Sequence, residues 1–200
     1  KGELEQSYVA VTFTADGVTR ADYEAGSPEE RAVKSAYVFF FRNGEPFLVS
    51  FDGTTSTSTN AGPNNYLQVN LTGDKQNMDN VSDVKDAVLV LQNYKGQYPN
   101  QMLAILNWTP EEDNYTLSEL QDKVASAIHN DNGFVMSNSV YANGKKQVVD
   151  AVPLTVANIG KTEAEAKANP VTIHVERVAA KVVYTAEDNG KFMIEKNVDN

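Results

Sequence analysis

The chain contains no cysteine, only two histidines and a single tryptophan among its 200 residues. The absence of cysteine excludes disulfide bonds, thiolate metal sites and a cysteine nucleophile. His129 and His174 have no third ligand at the spacing of a metal site, and Asp79 and Asp83 lack the glycine and glutamate of a calcium loop. Neither a GxSxG motif nor a phosphate-binding loop is present. We therefore expect no catalytic, cofactor-binding or metal-binding residues, and a protein that is not an enzyme.

Positive charge is also scarce. Lysine and arginine total 17 against 27 aspartate and glutamate residues, for a net charge of -10. No cluster of basic residues occurs, so nucleic acid is not an expected partner. No apolar run approaches the ~20 residues of a membrane-spanning helix. Hydrophobic residues nevertheless make up 41% of the chain, which is enough to build a folded core.

Short segments with strand character are frequent. In the first segment, from Ser7 to Thr14, Val9, Val11 and Phe13 alternate with residues that point the other way. A tight turn is predicted at Asn43-Gly44. An almost continuous apolar run predicts a central strand at 35–42, and apolar runs predict buried strands at 85–92 and 102–108. Further strands are predicted at 47–51, which pairs back as a hairpin, at 66–72, at 134–141 and, on a sheet edge because of Pro153, at 147–156.

Helix signals are few. A capping box at Thr116–Glu119 precedes an apolar stripe at three- and four-residue spacing, formed by Leu117, Leu120, Val124 and Ile128. This pattern predicts one amphipathic helix with His129 at its C-terminal end, where a cation suits the helix dipole. Thr162–Glu165 predicts a second, short helix. Thr109–Glu112 carries the same helix-start chemistry.

The longest stretch with strand character runs from Pro170 to Glu187. Its apolar row is first Val171, Ile173 and Val175, and after Arg177 it shifts by one position to Val178, Ala180, Val182 and Tyr184. A shift of one position indicates either a bulge or a strand that leaves one sheet and joins another. An ordinary long hairpin strand is the alternative.

Together these patterns predict a mostly β fold of about seven to nine strands with one or two short helices. Two stretches without periodicity, Ala15–Ala32 and Gly53–Asn65, are predicted to be exposed loops. Tyr94, Tyr98 and Trp108 are aromatic residues that could line a carbohydrate site, although core and edge packing explains them better.

Four segments resemble the N-terminal domain of the Bacteroidales fimbrillins, the FimA/Mfa-like major fimbrial subunits (type V pilins). They are residues 29–44, Met102–Trp108, Phe134–Tyr141 (FVMSNSVY) and Pro170–Val182 (PVTIHVERVAAKV). The last two are the most specific, and the resemblance covers residues 7 to 187. It implies a transthyretin-like β-sandwich for residues 1–188, with 189–200 as a linker or the start of an absent C-terminal domain.

The resemblance also implies a location and partners. Family members are exported as lipoprotein precursors to the outer membrane and assemble into fimbriae on the cell surface. The polar start of this chain, Lys1–Gln6, carries neither a signal peptide nor a lipidated cysteine, so a trimmed form is expected. The implied partners are other pilin subunits, a trypsin-like processing protease and host surface ligands.

Family members polymerise by donor-strand exchange after a protease cuts behind the first strand. The matching position here is Arg20-Ala21, with Arg31 as the rival, and the exchanged strand would carry Val9, Val11 and Phe13. The resemblance therefore implies a structural pilus subunit that supports cell adhesion. The alternative is a cell-surface module that binds glycan or protein and does not polymerise.

Overall fold

A computed structural model describes residues 2–15, 33–51, 63–69, 87–127, 129–130, 133–138 and 151–178. The fold over these residues is mostly β, as predicted, with two α-helices. None of the helices in these ranges combines the length and the apolarity that a membrane crossing requires.

Twelve β-strands lie in the described ranges, and six of them are pairings of only two residues, which explains why the number exceeds the predicted seven to nine. The strands are β1 (Leu4–Ala15), β2 (Ala36–Arg42), β3 (Glu45–Pro46), β4 (Tyr66–Gln68), β5 (Ala87–Tyr94), β6 (Gln101–Leu106), β7 (His129–Asn130), β8 (Gly133–Phe134), β9 (Met136–Ser137), β10 (Val152–Pro153), β11 (Ile159–Gly160) and β12 (Val171–Arg177). The helices are α1 (Leu117–Ser126) and α2 (Glu163–Ala168), and a 3₁₀ turn spans Val156–Asn158.

The strands form two layers. In the first layer, β1 pairs antiparallel with β5 on one side and, on the other side, antiparallel with β11 and then parallel with β12. In the second layer, β2 pairs with β6 on one side and with β3 and β4 on the other. The free side of β6 is shared by β9 and β10. The edge position predicted for Pro153 agrees with this pairing, because β10 bonds only to β6 among the described strands.

A single hydrophobic cluster joins the two layers. Alternating residues of β1, β5 and β12 contribute one side of it, and alternating residues of β2 and β6 contribute the other. The best buried members from the two layers include Val9, Phe13, Ile173, Phe40 and Met102. Burial of this row is the main force that holds the layers together.

A second cluster covers the opposite face of the second layer. It contains the other alternating residues of β2 and β6, together with Tyr115 and the apolar stripe of α1: Tyr37, Phe39, Phe41, Leu103, Ile105, Tyr115, Leu117, Leu120 and Val124. The stripe on α1 follows the predicted helical spacing. As a result, β2 is buried on both faces, as the almost continuous apolar run at 35–42 indicated.

The shift of phase at Arg177 corresponds to a change of layer. Val171, Ile173 and Val175 lie in the first cluster and pair along β1, whereas Val178 lies in the second cluster. The end of β12 pairs with β9 of the second layer, and the Val178 N–H bonds to the carbonyl of Val135. The prediction that one strand serves two sheets is therefore confirmed up to Val178. Ala180, Val182 and Tyr184 lie outside the described residues.

The helix predictions are partly right. Thr116 caps α1 as predicted: its hydroxyl accepts from the Glu119 N–H at 3.2 Å, and the Glu119 carboxylate accepts from the Thr116 N–H at 2.7 Å. Thr162 caps α2. However, α1 ends at Ser126 because Ala127 is extended, so His129 lies in β7 and not at the helix end. No helix forms at Thr109–Glu112, where the two glutamate N–H groups bond to the Tyr115 hydroxyl instead.

Two strand predictions and one loop prediction need correction. The turn at Asn43-Gly44 forms with positive φ at both residues. The return strand, however, is not at 47–51 but is the two-residue strand β3, and the chain leaves β2 after the Phe47 N–H has bonded to the Phe40 carbonyl. Over residues 134–138, the described part of the strand predicted at 134–141, the chain forms the two short strands β8 and β9. The loop predicted at 53–65 ends in buried residues: Asn65 donates to the carbonyls of Phe40 and Tyr115, which ties β2 to the segment before α1.

Candidate functional site

The first strand, β1, is the strand for which the resemblance to fimbrillins implies exchange. Val9, Val11 and Phe13 are at most 1% exposed and point into the cluster between the layers. Burying these three side chains is worth ~1.5–3 kcal/mol each, or roughly 5–9 kcal/mol together. This sum is comparable with the ~5–15 kcal/mol by which a whole domain is stable. The strand is therefore a major contributor to the core.

Hydrogen bonding holds β1 along both of its edges. It pairs with β5 from Leu4 to Val11 and with β12 from Val11 to Ala15. The pairing with β12 is parallel, a relation that only long-range contacts reveal. Each bond in such a ladder contributes about 1 kcal/mol net. Removal of β1 would leave unpaired backbone groups on β5 and β12, so its position is a groove that another strand can fill.

The outward face of β1 is only partly covered. Tyr8, Thr12 and Thr14 are half-buried, and Gln6 is exposed. Only Ala10 is buried on this face, where α2 packs against β1. The helix lies so close to β11 that a Cβ added at Gly160 would be 2.5 Å from the Ala166 backbone nitrogen. Ala10 itself is 5% exposed, so a larger side chain at this position would need its neighbours to move.

A set of polar contacts, which we call the β1 clasp, fixes the start of β1. The clasp consists of Glu5, Ser7, Asn93 and the turn Tyr94–Gln97. The Ser7 hydroxyl donates to Asn93 Oδ1 at 2.7 Å, and both side chains are buried. Asn93 Nδ2 lies 3.1 Å from Glu5 Oε1, 3.2 Å from the Tyr94 carbonyl and 2.9 Å from the Gln97 carbonyl. All polar atoms of the Asn93 amide therefore have partners, as burial requires.

Glu5 closes the clasp from the side of β1. Its Oε1 accepts from the Gly96 N–H at 2.9 Å. This bond, followed by one from the Tyr98 hydroxyl, lowers the pKa of Glu5 below its ordinary value. The hydrogen bond between the Tyr98 hydroxyl and the Glu5 carboxylate raises the pKa of Tyr98. The exposed ion pair between Glu3 and Lys95, 3.1 Å apart, adds a weaker contact at the same end.

The predicted processing residues, Arg20 and Ala21, lie outside the described residues, and so does their rival Arg31. The described part of β1 ends at Ala15, five residues before Arg20. The predicted strand residues Val9, Val11 and Phe13 are placed together in one row. The β1 clasp was missed by the sequence reasoning, although a polar residue in the core-facing row of β5, Asn93 after Ala87, Leu89 and Leu91, was a visible signal.

The other candidate residues are placed apart. His174 lies on the exposed face of β12, with Nδ1 2.8 Å from Thr14 Oγ1, and His129 lies in β7. Within the described ranges, no three His, Asp or Glu side chains gather as a metal site would require. Asp79 and Asp83 lie outside those ranges. Trp108 packs against Phe39 and Tyr115, as the core-packing interpretation predicted.

Comparison with known proteins returns no match of this chain to any protein-family model, curated protein or solved structure.

Proposed function

We propose that this protein is a structural subunit of a cell-surface fimbrium and that it assembles by exchange of its first strand. The observation that carries the proposal is the position of β1. Its apolar row fills the core between the layers, and on its outward face Tyr8, Thr12 and Thr14 are only half-buried. A strand of this kind is separable from the remaining fold, and its groove offers main-chain bonds and side-chain pockets to a replacement.

The fold belongs to the same proposal. Two β layers that enclose one core, with a strand that crosses between them, are compatible with a transthyretin-like β-sandwich. The resemblance of Phe134–Tyr141 and Pro170–Val182 to fimbrillins adds export to the outer membrane as a lipidated precursor, and it adds other pilin subunits and a trypsin-like protease as partners. Within this proposal the protein has no catalytic role.

The energetics require that cleavage and exchange are separate steps. Because β1 contributes roughly 5–9 kcal/mol of apolar burial, a cut behind it leaves the strand in place. A donor strand that makes equivalent contacts displaces it, since the exchange replaces each lost contact by a similar one.

Limited trypsin digestion of the native protein followed by mass spectrometry tests the first step. We expect the first cut at Arg20-Ala21, with residues 1–20 retained until denaturant or a donor peptide is added. A first cut elsewhere contradicts the processing site.

Assembly of the full-length protein tests the second step. Arg20→Ala should block fibre formation without a change in the melting temperature, and Arg31→Ala, the matched control, should assemble normally. Normal fibres from the Arg20→Ala protein would rule out this mechanism, whereas the absence of fibres from the unaltered protein would favour the alternative, a surface binding module that does not polymerise.

A further inference from the structure

The core-facing row of β1 changes character along the strand. It begins with Glu5 and Ser7 and continues with Val9, Val11 and Phe13. The opposing row of β5 changes in the same way, because Asn93 lies at the polar end and Leu91 and Leu89 follow. In the observed register Glu5 is directly opposite Asn93, and the side chains of Glu5 and Ser7 both bond to Asn93.

The apolar part of the row discriminates poorly between registers. A strand shifted by two residues keeps the same face toward the core, and it places a valine where another valine was. In that shifted register, however, Val9 would replace Ser7 beside Asn93. The buried Asn93 Oδ1 would then lose its donor, and Gly96 and the Asn93 amide would lose the Glu5 carboxylate. A buried acceptor without a donor is strongly unfavourable.

From this geometry we infer that Asn93 selects both the register and the sequence of the strand that occupies the β1 position. The inference rests on the proposed function and specifies the partner: an extended segment of another subunit. That segment carries a hydroxyl side chain at the position of Ser7, a carboxylate two residues before it, and a small residue at the position of Ala10, over which α2 packs. Aliphatic and aromatic residues follow at the positions of Val9, Val11 and Phe13.

The test uses the whole chain with a protease-recognition sequence inserted between Arg20 and Ala21, so that the nick does not depend on natural processing. After the nick, the release of residues 1–20 is followed over time at a fixed denaturant concentration. We expect Ser7→Val to accelerate release about tenfold, because Asn93 Oδ1 loses its donor. Ser7→Thr, which keeps the hydroxyl, and Gln6→Val, on the exposed face, should stay within about twofold of the parent.

A second background makes the result specific to Asn93. In the Asn93→Leu protein the buried acceptor is absent, so Ser7→Val should change the release rate less than about twofold relative to that background. Equal release rates for the parent and Ser7→Val chains, or the same acceleration in both backgrounds, would overturn the inference. If Ser7→Val does not fold, Ser7→Ala, which also lacks the hydroxyl but adds no bulk, takes its place, and it should accelerate release only in the background that retains Asn93.

Uptake of an added peptide separates the inference from the proposed function. Labelled peptides of residues 2–15, with Ser7 or with Ser7→Val, are offered to the nicked protein. Preferential uptake of the Ser7 peptide supports both the proposed strand exchange and the selection of the strand by Asn93. If neither peptide is taken up after residues 1–20 have been released, strand exchange is wrong, and the release rates still decide the role of Asn93.

Discussion

Two central strands, β1 and β2, differ in how many of their faces are buried. Each has hydrogen-bonded neighbours on both edges. Every residue of β2 from Ala36 to Phe41 is buried, because one face packs against the first layer and the other against α1. In β1 only the inward row and Ala10 are buried apolar positions. The loss of β1 would therefore open one cluster, whereas the loss of β2 would destroy both.

This difference supports the proposal that β1, and not β2, is the exchanged strand. An exchanged strand has to leave and be replaced while the rest of the fold persists, and β2 cannot do so because two separate clusters depend on it. The following predictions test this contrast, beginning with the largest expected effect.

A charge on the second face of β2 should prevent folding. Phe39 is fully buried and its ring contacts the rings of Tyr66, Trp108 and Tyr115. Phe39→Asp removes these contacts and buries an unpaired carboxylate, so we expect a loss of more than about 4 kcal/mol. The matched control is Val90→Asp on the outward face of the first layer, which should cost about 1 kcal/mol. Chemical denaturation measures both, and similar losses would contradict the contrast.

Substitutions on the two sides of Arg177 should show that β12 serves both clusters. Val175 and Val178 are buried in different clusters, and each Val→Ala change should cost about 2 kcal/mol. Because the clusters are separate, the double variant should lose the sum of the two single losses. Val156→Ala, at a side chain that is 70% exposed, is the control and should change stability by less than about 0.5 kcal/mol. Denaturation midpoints check all four proteins, and a loss at only one of the two valines would show that β12 does not change layers.

The smallest effect concerns the β1 clasp and pH. The Gly96 N–H lowers the pKa of Glu5 from its ordinary value of 4.5, so the folded state binds this proton less readily than the unfolded state does. The resulting stability is present above the ordinary pKa and is lost as the pH falls through the folded pKa. We expect Glu5→Gln to flatten the acid-side fall of the melting temperature, and Gln6→Ala to leave it unchanged. An unaltered slope in the Glu5→Gln protein would show that the contact has no role in pH stability.

The sequence by itself determined the features that local periodicity and helix capping control, namely the buried row of a strand and the start of a helix. The alternation of Val9, Val11 and Phe13 specified one buried row, because successive side chains of a strand point to opposite faces. The Thr116 capping box specified the start of α1, since its bonds join residues only three apart. The phase shift at Arg177 indicated either a bulge or a change of sheet for the same local reason, and the pairing of β12 with β9 decided between the two.

Only the tertiary structure decided which strands are neighbours and which polar groups meet. The parallel pairing of β1 with β12 joins residues about 160 positions apart, and the Ser7–Asn93 bond joins residues 86 apart. Alternation identifies the face that a side chain occupies but not the strand that it contacts. Such contacts depend on the packing of distant segments, which no local pattern contains.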